Sequence, residues 1–136
     1  MVNTALNELF LAQLKDIYFA HPIIYKTLPK MAEAAKASVL KDAFNQHQAQ
    51  TKEHMARLEQ VFDIIGEKAE PKTCEAINGI IAEGEETIQK FGSSDAIDTG
   101  LIAAAEAVEH YEMASYGARI RSHEGAAAAG RVSWPL

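Results

Sequence analysis

Residues 98–117, DTGLIAAAEAVEHYEMASYG, carry the most informative pattern of this chain. Alanine, leucine and glutamate dominate the stretch, and these residue types favour an α-helix. At 3.6 residues per turn, most of its larger apolar side chains fall on one broad face. The residues on that face are Leu101, Ile102, Ala105, Val108, Met113 and Tyr116.

Two glutamates, Glu109 and Glu112, fall on the same face as these apolar residues. A helix that simply covers a core would direct its carboxylates towards the solvent. A buried carboxylate without a partner either takes up a proton or needs a cation, a strong hydrogen-bond donor or a metal ion. The stretch therefore predicts that this helix contributes to a polar cluster inside the protein.

The composition of the whole chain limits the function classes that need to be considered. A chain of 136 residues is expected to form one domain with a substantial core. The net charge of −6, without a block of basic residues, argues against nucleic-acid binding. No apolar run reaches the ~20 residues that span a membrane, and the first ten residues, MVNTALNELF, do not resemble a signal peptide. The single cysteine, Cys74, cannot form an internal disulfide, and a cytoplasmic protein is expected.

Three further segments have the periodicity of amphipathic helices, at about 4–35, 38–65 and 74–91. Ser38 is a favourable residue to cap the start of the second helix, and Gly66 is favourable just after its end. Pro22 and Pro29 interrupt the first segment. An interior proline removes a backbone hydrogen bond, so we expect a kink near residues 18–21 or a break in this helix.

Four amphipathic helices with short connections predict an all-α protein, an antiparallel four-helix bundle formed by residues 1–117. After Gly117 the apolar pattern decays. Residues 118–136, ARIRSHEGAAAAGRVSWPL, are expected to form a frayed helix end followed by an irregular tail, which would leave the fourth helix short.

Each predicted helix places at least one polar side chain near the core. These candidate site residues are His21 on the first helix, His47, Gln50 and His54 on the second, Asn78 on the third, and Glu109 and Glu112 on the fourth. Side chains three, four or seven positions apart share a helical face, so a bundle could bring them together. Imidazole and carboxylate ligands suit iron, manganese or zinc. The same residues could instead form a hydrogen-bonded network that fixes the packing of the helices.

Several motifs of this chain resemble the YciE/YciF family of bacterial stress-associated proteins, over about Leu6 to Gly117. The resemblance is carried by LKDIYFA (14–20), LPKM (28–31), HQAQTKEHMARLEQVF (47–62), CEAINGIIAEGEE (74–86) and AAAEAVEHYEMASYG (103–117). It implies a ferritin-like four-helix fold, a homodimer and a cytoplasmic location, without an assigned reaction. Ferritin-like proteins hold two metal ions through glutamates and histidines of four helices.

The chain departs from the family pattern at two places. His47, Glu109 and Glu112 match the usual residues, whereas His21, Gln50 and Asn78 stand where glutamate is common. The loss of these carboxylates would weaken a dinuclear site and leaves a mononuclear site or a metal-free polar core as alternatives. Residues 118–136 also differ from the C-terminal part of the longer relatives. A truncation or a shifted reading frame would produce such a difference.

Two hypotheses about function follow from these observations. The first is a ferritin-like stress protein that binds iron or another divalent transition metal in its core, with His47, Glu109 and Glu112 as the core ligands. The second is a metal-free module for dimerisation or protein interaction, whose inward polar residues form a structural network. An oxygen-activating enzyme is disfavoured, because too few carboxylates remain and no pattern indicates a small-molecule substrate.

Overall fold

The computed structural model describes residues 4–126 of the chain, with side chains as far as Gly117. Four helices account for most of this range: α1 Thr4–Ala34, α2 Ser38–Ile65, α3 Glu75–Phe91 and α4 Ile97–Ala126. The described residues contain no β-strand. The all-α four-helix bundle predicted from the sequence is therefore confirmed.

Helix α1 is the centre of the bundle, because it packs against each of the other three helices, while α3 also packs against α4. The turn between α1 and α2 makes these two helices antiparallel. The connection 66–74 stays near the first half of α1, where the Lys72 N–H donates to the Lys15 carbonyl at 3.2 Å. Helix α3 carries the chain back along the bundle, so that α2 and α4 run in the same direction on either side of α1.

The core of the bundle is a continuous set of aliphatic and aromatic side chains from all four helices. Its larger buried members are Leu14, Ile17, Ile24 and Leu28 of α1, Phe44, Leu58 and Phe62 of α2, Ile77 of α3, and Ile97, Leu101 and Val108 of α4. Full burial of one such side chain contributes roughly 1.5–3 kcal/mol to the free energy of unfolding. None of the described helices has a stretch long and apolar enough to cross a membrane.

Helix α1 continues through both of its prolines, so the predicted alternative of a break is wrong. Pro29 has no N–H, and the carbonyl of Tyr25 therefore lacks its helical partner. The side chain of Gln48 on α2 supplies the missing donor, with Nε2 at 3.3 Å from the Tyr25 oxygen. Pro22 and Pro29 are exposed, so their rings take no space in the core, and the buried side chains around them hold the helix together.

The start of α2 is stabilised by a residue of α4 rather than by Ser38. The N-cap residue is Ala37, which has no side-chain cap of its own. The carboxylate of Asp98 accepts hydrogen bonds from the backbone N–H groups of Lys36 at 2.7 Å and Ala37 at 3.0 Å. At the other end of α2, Gly66 has the left-handed conformation (φ 70°) that favours glycine after a helix.

Helix α4 runs past Gly117 to Ala126, so it is longer than the shortened helix expected from the sequence. Near its start, Gly100 allows a close approach to α3, because a Cβ at this position would lie 2.6 Å from Thr87 Cγ2. The irregular tail predicted for the end of the chain lies, from residue 127 onwards, outside the described residues. The division at Gly117 into bundle and tail stays a prediction.

Replacement of Asp98 by alanine is expected to lower the free energy of unfolding by about 1–2 kcal/mol, because two backbone donors lose a charged acceptor. Asp95→Ala is the matched control, since Asp95 forms only an exposed ion pair with Lys36 and should change stability by less than ~0.5 kcal/mol. Urea unfolding followed by circular dichroism measures both values. Equal losses in the two variants would show that Asp98 does not hold the α1–α2 turn.

Candidate metal centre

Three polar side chains from three helices meet inside the bundle. They are His21 of α1, His54 of α2 and Glu112 of α4, and one potential ligand atom of each lies within 4.8 Å of the others. His21 is fully buried, Glu112 is 7% exposed and His54 is partly buried. We refer to these three residues as the His–Glu cluster.

The positions of these side chains follow from the helical repeat. His21 lies on the same face of α1 as Ile17, Ile24 and Leu28, all of which are buried. Glu112 lies four residues after Val108, on the buried face of α4. The cluster is therefore built on rigid helices, at the level where α2 and α4 approach each other across α1.

Each oxygen of the Glu112 carboxylate faces a different histidine. Oε1 lies 3.2 Å from Nε2 of His47, which is hydrogen-bond distance, and Oε2 lies 3.7 Å from Nε2 of His21. His47 is seven residues before His54 on the same face of α2 and is partly exposed. The buried carboxylate thus has two imidazoles as neighbours, which is how an inward-facing glutamate can avoid an uncompensated charge.

The two histidines of the cluster have different surroundings. The hydroxyl of Tyr116 lies 3.1 Å from His21 Nε2. The ring of His54 lies 5.9 Å from the ring of His21 between centroids. Nδ1 of His54 is buried and has no hydrogen-bond partner in the part of the chain that the structure describes. A buried donor or acceptor of this kind costs free energy unless something else binds it.

The structure brings together only part of the site predicted from the sequence. His21, His54 and Glu112 form the cluster, and His47 contacts it through Glu112. Helix α3 contributes no histidine, cysteine or acidic residue to the cluster, and Asn78 is half-buried on that helix. Gln50, which was expected at the edge of the apolar face of α2, is exposed.

The predicted inward orientation of Glu109 is wrong, because this residue is exposed. Glu109 comes three positions before Glu112, which rotates it about 60° around the helix axis. Ile102 and Met113 on the same side of α4 are also exposed, at 46% and 47%. The apolar face drawn from the sequence was too broad, because the buried face is centred on Leu101, Val108 and Glu112.

Tyr116 is a further neighbour of the cluster, and the sequence placed it on the apolar face of α4 as a possible partner of Glu109 and Glu112. Its position four residues after Glu112 places both side chains on one side of α4. The spacing of a glutamate and a tyrosine by one turn was the available signal. It did not identify the contact with His21, which depends on the packing of α4 against α1.

The pKa of His47 is raised above its usual value, first because its side chain is hydrogen-bonded to Glu112. Partial burial acts in the opposite direction, and the charges of Glu112 and Glu109 raise the pKa further. Glu109 therefore influences the site electrostatically although it points outwards. The protonated imidazolium of His47 and the carboxylate of Glu112 form the favoured pair.

The donor set of the cluster fits a transition-metal ion. Two imidazoles and a carboxylate are ligands typical of zinc and iron sites. Bonds of about 2.1 Å place the donors of a tetrahedral site roughly 3–4 Å apart, so small side-chain movements would bring the three donors into range. Nδ1 of His54 is buried without a hydrogen-bond partner among the described residues, and one imidazole nitrogen of His54 is among the three potential ligand atoms.

The fold and the cluster define the class of protein: a helical bundle whose interior holds a small group of imidazole and carboxylate side chains. Comparison with known proteins then identifies the family. The chain belongs to the family described as "Domain of unknown function (DUF892)", whose model matches residues 5–129.

Two relatives show how far the similarity extends. Protein YciF of Escherichia coli K12 is 35% identical over 113 residues, which cover 82% of this chain and 68% of YciF. The solved structure of YcfI from Rhodopseudomonas palustris superposes with a TM-score of 0.85 at 39% identity. The structure of the E. coli stress protein YciF superposes with a TM-score of 0.83 at 34% identity. Each match covers 88% of this chain and 76% of the solved one.

Replacement of His47 by glutamine is expected to flatten the pH dependence of stability in metal-free protein. The folded-state pKa of His47 is raised, so its contribution is fully present below about pH 6.5 and is lost as the pH rises through the folded-state value. Near pH 5.5 the variant should be about 1–2 kcal/mol less stable than the wild type, and the difference should shrink towards pH 8.

Urea unfolding between pH 5 and 8, in the presence of a chelator, measures this difference. His110→Gln is the control, because His110 is an exposed histidine of α4. If the stability of both variants depends on pH in the same way as that of the wild type, the pair of His47 and Glu112 does not contribute to the pH dependence of stability.

Proposed function

We propose that this protein is a YciF-like stress-response protein that binds one transition-metal ion, such as iron or zinc, through His21, His54 and Glu112. The observation that carries the proposal is the convergence of three potential ligand atoms within 4.8 Å, from three different helices, in the interior of the bundle. The stress role is supported by the description of E. coli YciF as a stress protein.

The burial of the cluster also supports metal binding. Bringing two histidines and a carboxylate into a bundle core costs free energy, which a hydrophobic set of side chains would avoid. A bound cation would offset the carboxylate charge and engage an imidazole nitrogen of His54. The hydrogen bond from His47 to Glu112 then has the role of an outer partner that orients a ligand, as is common around metal sites.

The alternative is a metal-free polar network that fixes the relative positions of the helices. The contacts of His47 with Glu112 and of Tyr116 with His21 favour this function, because both join different helices. Polar networks of this kind can select one packing arrangement. The partnerless Nδ1 of His54 favours the metal site, since a closed network would satisfy this atom.

Titration of metal-stripped protein with cobalt(II) and zinc(II), followed by calorimetry and visible absorption, is expected to show one binding site per chain. His54→Ala should weaken binding at least ~10-fold, because one ligand is lost. A metal concentration one hundred times the dissociation constant should stabilise the wild type by about 2.7 kcal/mol.

Glu106→Gln is the matched control for this titration. Glu106 is an exposed carboxylate of α4, six residues before Glu112, so the affinity should stay within about twofold of the wild type. Circular dichroism verifies that each variant is folded. If His54→Ala binds metal as tightly as the wild type, or if both variants lose affinity equally, the proposed site is contradicted and the metal-free network is favoured.

A further inference from the structure

The hydroxyl of Tyr116 lies at the edge of the His–Glu cluster. It is 3.1 Å from Nε2 of His21, and its ring lies 5.9 Å from the ring of His21 and 6.2 Å from the ring of His54. Tyr116 is half-buried and lies one helical turn after Glu112. Its oxygen atom is therefore held next to the candidate metal ligands by the rigid backbone of α4.

Nε2 of His21 is the nitrogen that faces both oxygen-bearing side chains of α4. Glu112 Oε2 lies 3.7 Å from His21 Nε2, and the Tyr116 hydroxyl lies 3.1 Å from the same nitrogen. A metal ion that binds Nε2 of His21 uses the lone pair of this nitrogen. The same lone pair can otherwise accept a hydrogen bond from the Tyr116 hydroxyl. The phenol oxygen would then lie beside the ion, without its present hydrogen bond to His21.

We propose that Tyr116 binds the metal as a phenolate and makes the site selective for ferric iron, an inference that rests on the proposed metal-binding function. The complete donor set is then two imidazoles, the carboxylate of Glu112 and the phenolate of Tyr116. Anionic oxygen donors suit hard, highly charged cations, and tyrosine is an established protein ligand of iron.

The preference for ferric iron comes from the hard, anionic character of the two oxygen donors. The carboxylate and the phenolate together supply two negative charges, which leave a ferric site with a net charge of +1. Binding breaks the O–H bond of Tyr116 and forms an iron–oxygen bond, and the proton passes to the buffer. The iron enters and stays in the ferric state, so the step requires no oxidant or reductant.

The test is a titration of metal-stripped protein with ferric nitrilotriacetate, followed by visible absorption and resonance Raman spectroscopy. The wild type is expected to develop a phenolate-to-iron charge-transfer band with enhanced tyrosinate vibrations. Tyr116→Phe should lose the band and bind ferric iron roughly 10- to 100-fold more weakly.

Tyr18→Phe is the matched control, because the hydroxyl of Tyr18 lies 3.4 Å from the exposed Glu59 and not in the cluster. This variant should keep the band. Cobalt(II) binding by Tyr116→Phe verifies that the other three ligands are intact.

Three outcomes separate this inference from the function on which it rests. A band that is present in the wild type and in Tyr18→Phe, but absent from Tyr116→Phe, supports the phenolate ligand. Cobalt(II) binding without a ferric charge-transfer band, or a band that persists in Tyr116→Phe, overturns the role of Tyr116 and leaves the three-ligand site standing. A protein that binds neither cobalt(II) nor ferric iron overturns the proposed function itself.

Discussion

The carboxylate of Glu112 is the group on which the interior of this bundle depends. It is 93% removed from solvent on α4, where an isolated negative charge would be strongly unfavourable. One oxygen is paired with His47 of α2, and the other lies 3.7 Å from Nε2 of His21 on α1. One acidic residue therefore makes the positions of α1, α2 and α4 depend on each other, although direct helix packing joins α2 mainly to α1.

The sequence predicts the helices well, because their repeat depends on local properties. The apolar periodicity identified all four helices, and Gly66 correctly marked the end of α2. The inward position of Glu112 was also predictable, since it lies one turn after Val108. Glu109 was misplaced because a face estimated from sequence is uncertain by about one residue, or 100° of rotation. The neighbouring helices determine which residues of a helix are buried, and the sequence of one helix carries no information about their positions.

The contacts that hold the site in place come from residues distant in sequence. Asp98 stabilises the turn before α2, and Gln48 satisfies a carbonyl that Pro29 leaves open on α1. No local pattern indicates such pairs, because each requires the packed bundle. Membership of the DUF892 family and the superposition on E. coli YciF place the chain among structures of the same architecture. The chain and E. coli YciF are identical at about one third of the aligned positions. The ligands of the cluster are therefore inferred from this chain's own residues.

The central claim is that the His–Glu cluster binds a metal ion inside the bundle. Anomalous X-ray diffraction from crystals grown with cobalt(II), recorded on both sides of the metal's absorption edge, tests it most directly. One internal anomalous peak is expected, within bonding distance of His21, His54 and Glu112. Crystals with no internal peak, or with metal only at exposed carboxylates such as Glu109, would contradict it.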